Sequence, residues 1–401
     1  MTGKIGRAIA LAGFPILVFA SQVVWVSYSP VTTKVAADLG VSKDAVGLLV
    51  MLFPILYILM AYPAGRLLDT WFRGALITAS ILFIGTGIAR IVAPENYLSI
   101  LIGQILAAIA QPFVVNGITP YASAYFEEKR RPLAVSMGSA AMYAGMIVAM
   151  AIGAFVYSEW GVWGLSIYSA ITVLVSGLWT LWMVLKANII GNVEVEHLPT
   201  LESIRTIVKR REVWMFAGII GIGLAILDIL MTWIEPVLSP VGLEKIAGTA
   251  TALMLVSGVI GASTLPSIAA KYNIRKTLII IAAFTGVFAY GVLTAYISGI
   301  LVYAMLALNG FMLMAGLPVI FEWVEKTTPF TQQGETIGVI MITGHIIAVI
   351  ALAASTPLTG FYREFFGLLA SLGVIATLLA IVLPSDKGLK RINANEKESL
   401  M

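Results

Sequence analysis

"NVEVEHLPTLESIRTIVKRRE", residues 192–212, is a polar, charged stretch in the middle of an otherwise apolar chain of 401 residues. A helix that crosses a ~30 Å hydrocarbon core needs about 20 mostly apolar residues. Before this stretch, runs of that kind lie near 8–33, 44–66, 74–92, 97–125, 132–157 and 163–186. After it they lie near 213–238, 246–268, 275–297, 299–323, 335–357 and 365–384. The pattern predicts an all-α membrane protein of twelve transmembrane helices in two pseudo-symmetric six-helix bundles. The N-terminal bundle would cover 1–186 and the C-terminal bundle, with a short cytoplasmic tail, 213–401. Residues 187–212 would be a cytoplasmic linker carrying a short surface helix.

Composition agrees with this assignment. Hydrophobic residues make up 59% of the chain and charged residues only 11%, against about 25% in soluble domains. That leaves too few charges to cover a water-facing surface. The absence of cysteine rules out a disulfide framework and a thiolate metal site. A pI near 9.1 fits a surplus of Lys and Arg at the cytoplasmic face better than nucleic-acid binding. The start, "MTGKIGRAIALAGFPILVFAS", has the basic beginning of a signal peptide. Its apolar run continues past residue 28, however, and reads as an uncleaved first span.

Charge sets the expected orientation. With a cytoplasmic N-terminus, all but Lys34, Lys43, Arg90, Lys245 and Arg363 of the 25 Lys and Arg residues fall inside, as the positive-inside rule requires. Both termini are then cytoplasmic. The halves also repeat. "TPYASAYFEEK" (119–129) and "LPVIFEWVEKT" (317–327) share a Pro, an aromatic five residues later and a Glu seven residues later. Such symmetry belongs to transporters that rock one half against the other around a central site.

"GRLLDTWFRGAL" (65–76) falls at the turn between spans 2 and 3. It resembles the major facilitator superfamily signature G-x-L-A-D-R-x-G-R-K, with Gly65, Leu67, Asp69 and Arg73 matching and Thr70, Phe72 and Gly74 departing from it. The resemblance implies the major facilitator fold. In physical terms, a glycine permits close helix approach. A carboxylate at the membrane edge can pair with Arg or cap a helix N-terminus. Gly65, Asp69 and Arg73 are therefore expected to form a conformational latch, against the plainer alternative of a solvated turn. The second half, "PSIAAKYNIRKTL" (266–278), carries Ala270 where the acid would be, so the latch is expected to be one-sided.

Ionisable groups deep in a span cost roughly 2.5–3.5 kcal/mol on insertion scales. Asp228, in "GIGLAILDILMTWIEPVLSP" (221–240), lies ~21 Å along span 7, and His345 lies ~15 Å along span 11. Glu235 and Arg90 sit near outer ends, with water expected in reach, and Glu322 and Glu325 at the inner end of span 10. Gln22, Gln104, Gln111, Asn116 and Asn309 also fall within spans. For each of these, interhelical hydrogen bonding, worth about 0.6 kcal/mol, competes with a binding role. With two His in the chain and no H-E-x-x-H, no metal is expected. The chain has no P-loop for ATP and no nucleophile–base pair for catalysis.

Four segments carry a narrower resemblance. They are "QVVWVSYSPV" (22–31), "AIAQPFVVNGITPYASAYF" (108–126), "GLPVIFEWVEKTTP" (316–329) and "ETIGVIMITGHIIAVI" (335–350). They resemble the feline leukaemia virus subgroup C receptor-related family, which carries choline and ethanolamine and has been linked to haem. In that family a Trp on span 1, a Gln on span 4, a Tyr on span 7 and a Gln on span 11 line the central pocket. The resemblance keeps the first two as Trp25 and Gln111. It places Asp228 at or near the third position and His345 at the fourth.

An indole face attracts cations, and a carboxylate supplies a counter-charge. Trp25, Gln111, Asn116, Asp228 and His345 are thus expected to bind a small polar or cationic solute. Alternatively, Asp228 and His345 form a proton relay. The expected function is secondary active or facilitative transport by alternating access. A proton-coupled drug exporter and a non-transporting sensor on the same fold are the alternatives. The expected partners are a small-molecule substrate, lipid and, in the coupled case, protons. No enzyme activity, cofactor or nucleic acid is expected, and the protein should act as a monomer in the cytoplasmic membrane.

Overall fold

The computed structural model describes residues 11–189, 205–328 and 333–384. These are about 90% helical, with no sheet among them. Eleven of their helices are long and apolar enough to cross a membrane. The difference from twelve lies in one helix, Arg131–Lys186, which runs for 56 residues. It contains Gly161 at φ 61, ψ −154, a backbone region open to glycine alone. The runs expected at 132–157 and 163–186 lie on either side of that break. Residues 190–204 of the expected linker lie outside the described residues. A short helical stretch at 205–207 belongs to its remainder.

Two spans break where the sequence suggested continuity. The first helix ends at Val26 and is followed by a 3-10 turn, Ser29–Val31, and a second helix, Thr32–Leu39. Pro30 causes this break, because it donates no N–H and restricts the residue before it. The fourth span divides into Tyr97–Val115 and Ile118–Tyr125 around Asn116 and Gly117.

The described residues fall into two compact units. The first holds residues up to 189 together with Met231–Ala252; the second holds 205 to Leu230 and everything from Leu253 onward. Helix Arg211–Leu238 therefore begins in the second unit and ends in the first.

Within the first unit, the fifth span packs a row of glycines against the first and fourth spans. An added Cβ at Gly153 would lie 2.9 Å from Pro30 Cγ, one at Gly138 2.8 Å from Ile118 Cγ2, and one at Gly145 would overlap the Phe19 carbonyl oxygen. These glycines are close-packing positions, as small residues at seven-to-eight spacing commonly are. Gly145→Ala should lower stability by about 1–3 kcal/mol, since the backbone oxygen has no rotamer through which to yield. Thermal unfolding of the purified protein in detergent reads this directly, with an unchanged midpoint counting against the assignment.

In the second unit, Phe216 packs against Trp323 at 5.5 Å between ring centroids. Around them is a core that includes Val213, Ile220, Ile279, Val319, Ile320 and Ile340.

Candidate functional site

The first unit brings the helices that carry Trp25, Gln111 and Asn116 together, since the first, second and fourth spans pack on one another. Trp25 and Gln111 are both buried. The orientation of Trp25 has a specific origin in Pro54. That residue lies inside helix Lys43–Thr70 and cannot donate to the carbonyl four residues before it, at Val50. Trp25 Nε1 donates to that carbonyl instead, at 3.0 Å. The indole also stacks on Phe53, with centroids 5.7 Å apart and planes 20° apart. The N–H is thus committed and one face of the ring is covered by Phe53. Asn116, at the break in the fourth span, accepts a hydrogen bond from the Tyr57 hydroxyl through Oδ1 at 2.8 Å. Tyr57 is a site neighbour that hydropathy alone did not single out. Its place on the second span, one turn beyond Pro54, was the available signal.

Behind Trp25 lies a polar cluster. Gln104 Nε2 donates to the carbonyls of Trp25 at 3.2 Å and Leu49 at 2.8 Å, with a longer contact to Val24. Its Oε1 accepts from Arg90 Nη2. Arg90 also donates to Ser169 Oγ and Ser27 Oγ, and its guanidinium lies 5.2 Å from the Tyr28 ring centroid. Arg90 is fully buried, and Glu235 is 1% exposed, which corrects the expectation that both reach water. Position along a span gives depth, not the side of the helix that faces the bundle. Both residues take the inward side.

In the second unit, helix Arg211–Leu238 and helix Gln333–Ser355 cross with their backbones close. A Cβ on Gly221 would lie 3.0 Å from the Gly344 carbonyl oxygen and 2.9 Å from Ile347 Cβ. His345 is thus next to the crossing point, and Asp228 is two turns, or about 10 Å, along the other helix. Asp228 is 5% exposed. The Nδ1–H of His345 donates to the Met341 carbonyl at 2.8 Å. A carbonyl can only accept, so this contact selects the Nδ1–H form of the neutral ring. Asn309 donates to the Tyr290 hydroxyl at 2.6 Å and serves as a link between helices.

At the turn between spans 2 and 3, Arg73 Nη2 donates to the Ala187 carbonyl at 2.9 Å, tying that turn to the end of span 6. Asp69 sits on the last turn of helix Lys43–Thr70. Gly65 meets no atom within 4 Å of an added Cβ among the described residues, so the close approach expected there is not seen. Gly74, by contrast, lies under the Trp71 ring, which accounts for glycine where the signature has a basic residue. In the second unit the acid comes from a different helix than the signature would place it on. Glu322 pairs with Arg275 through two oxygens, at 2.7 and 3.2 Å, and with Lys326 one turn away. The Glu325 side chain lies outside the described residues. Among those described, no group of three or more His, Cys, Asp or Glu could hold a metal.

Residues 15–352 match the family described as Major Facilitator Superfamily. The chain belongs to this superfamily. It is a multi-pass membrane transporter rather than an enzyme. Among curated relatives, it is 27% identical over 61% of its length to solute carrier family 49 member A3 of Danio rerio, and the match covers 54% of that protein. The Xenopus tropicalis protein of the same name is 25% identical over 84% of this chain and 75% of its own length. Multidrug resistance protein 1 of Bacillus subtilis is 29% identical over 31% of this chain and 32% of its own. Solved transporters share the major facilitator fold. A mutant of the nucleoside transporter NupG has a TM-score of 0.74 at 14% identity, covering 93% of this chain and 99% of its own. A bacterial homologue of the human lysosomal transporter Spinster reaches 0.76 at 14% identity, covering 97% and 99%. A D-xylose–proton symporter reaches 0.71 at 17% identity, covering 96% and 99%.

Proposed function

We propose that this transporter carries a small, polar, cationic organic solute across a cytoplasmic membrane by alternating access, with both termini cytoplasmic. The observation that carries the reading is Trp25, whose indole N–H is spent on the Val50 carbonyl. What remains is a π-face on buried helices, and a ring face selects for cations, more strongly when desolvated. Asp228 supplies the counter-charge, Gln111, Asn116 and His345 the orienting hydrogen bonds. The moving bodies are the halves 1–186 and 213–401, joined by 187–212. Asp69 and Arg73 stabilise one state of the cycle. The relatives in solute carrier family 49, at 25–27% identity, support kinship with the receptor-related family; the choline-type solute rests on the resemblance at Trp25 and Gln111.

A second reading, proton-coupled export of drugs, draws on the Bacillus subtilis relative and makes Asp228 and His345 a proton relay. A thermal-shift screen of the purified protein against quaternary ammonium compounds, amines, organic acids and porphyrins tests the first reading. A solute at 100 times its dissociation constant adds about 2.7 kcal/mol of stability. Stabilisation by choline or tetramethylammonium, and by no acid or porphyrin, is the expected result. Stabilisation by anions alone overturns it.

A further inference from the structure

Residues 231–252 end one long helix, turn and begin another. The turn is tight, with two short 3-10 segments, Ser239–Val241 and Glu244–Ile246, on either side of Gly242 at φ 71. This hairpin belongs to the first unit, while the rest of both helices, Arg211–Leu230 and Leu253–Tyr272, belongs to the second. Three contacts hold the hairpin in the first unit. Glu235 Oε2 accepts the backbone N–H of Thr33 at 2.8 Å, in the first turn of helix Thr32–Leu39. There the carboxylate meets the positive end of the helix dipole and orphan N–H groups. The ring of Trp233, fully buried, fills the space over Gly47 that any side chain would occupy. Gly248 lies against the Met150 carbonyl oxygen, and its added Cβ would come within 3.1 Å of Pro30 Cβ. Each contact requires a particular residue type: an acid, a glycine beneath an indole, and a glycine at a backbone crossing.

We propose that residues 231–252 are a detachable cap on the first unit. Glu235 on the helix Thr32–Leu39 and the Gly47–Trp233 and Gly248–Met150 packings hold it, and it leaves when the solute path opens at that end. The inference rests on the alternating-access reading and adds the residues that close this end. A contact of this strength is enough to set a balance between states without locking it. Removing the carboxylate therefore releases the cap by roughly 5–30-fold in population.

The absence of native cysteine makes the test direct. Spin labels on Ala37→Cys and Lys245→Cys, both at exposed positions of the first unit, report the distance across the cap. Glu235→Gln and Glu235→Ala should each move population from the short distance to a longer one, while Asp44→Asn, an exposed acid at the next helix N-terminus, should leave the distribution as in wild type. In parallel, Ser29→Cys, buried beside Pro30, should react several-fold faster with a membrane-impermeant maleimide in the Glu235 variants. The reaction is run both on intact cells and on inverted vesicles, so either orientation is read. Unchanged distances together with unchanged labelling rates overturn the cap. Should Glu235→Ala fail to fold, the isosteric Glu235→Gln decides alone. Failure of the choline-type reading would appear separately, as normal cap release in a protein that no cation stabilises.

Discussion

Asp228→Asn is expected to abolish choline binding throughout the range from about pH 5 to 8, if this carboxylate is the solute's counter-ion. Removing one partner of a desolvated charge pair costs about 2–5 kcal/mol, which is thirty-fold or more in affinity. Asn keeps the shape and the hydrogen-bonding oxygen, so the loss reports charge. If the acid is instead a proton site, the same substitution leaves affinity near the wild-type value and flattens its pH dependence. Titration calorimetry on both proteins at several pH values distinguishes these outcomes. A variant matching wild type in affinity and in pH profile removes Asp228 from both roles. The position makes the test sharp, because the residue is 5% exposed on a helix whose backbone meets that of the His345 helix.

The second large effect concerns stability. Gln104→Leu deprives the carbonyls of Trp25 and Leu49 of their donor, and Arg90 of an acceptor. The guanidinium is already fully buried, with no carboxylate partner among the described residues. Taking away a hydrogen-bonding partner in such a place should cost about 3–5 kcal/mol. A thermal unfolding midpoint within a degree of wild type would show that water or rearranged side chains replace Gln104. Gln104→Asn, one methylene shorter, should recover only part of the loss.

Much of this architecture was legible in the chain because a bilayer imposes a coarse rule. Every span must be about 20 residues long and apolar, and the polar stretch at 192–212 marks the midpoint of the repeat. Backbone breaks were less legible. Hydropathy averages over Gly161 and over the Asn116–Gly117 turn, although Pro30, Pro54 and Pro112 were each a warning that a carbonyl would need another donor. Asp228 and His345 were legible as deep ionisable groups. The partners of polar groups were not, since they depend on which side of each helix faces inward. Gln104 looked like one amide among five, yet it donates to two carbonyls and accepts from a buried Arg. Arg90 and Glu235 looked like residues near a rim, and both are enclosed.

The bond between Trp25 and Val50 has a mechanical consequence. A helix that lacks one internal bond at a proline is softer there than elsewhere, and here a side chain from another span supplies the missing bond. The stiffness of the second span at Pro54 therefore depends on where the Trp25 ring lies. Anything that draws the ring aside reopens the gap and lets the helix bend more easily, so ring position and flexibility are linked through one N–H group. The linkage is small. One neutral hydrogen bond contributes about 1 kcal/mol net, whereas reversing a 1:99 balance between two states takes about 5.5 kcal/mol. The indole thus acts as a bias on the hinge, and the remaining energy for the swing must come from contacts made elsewhere in the chain.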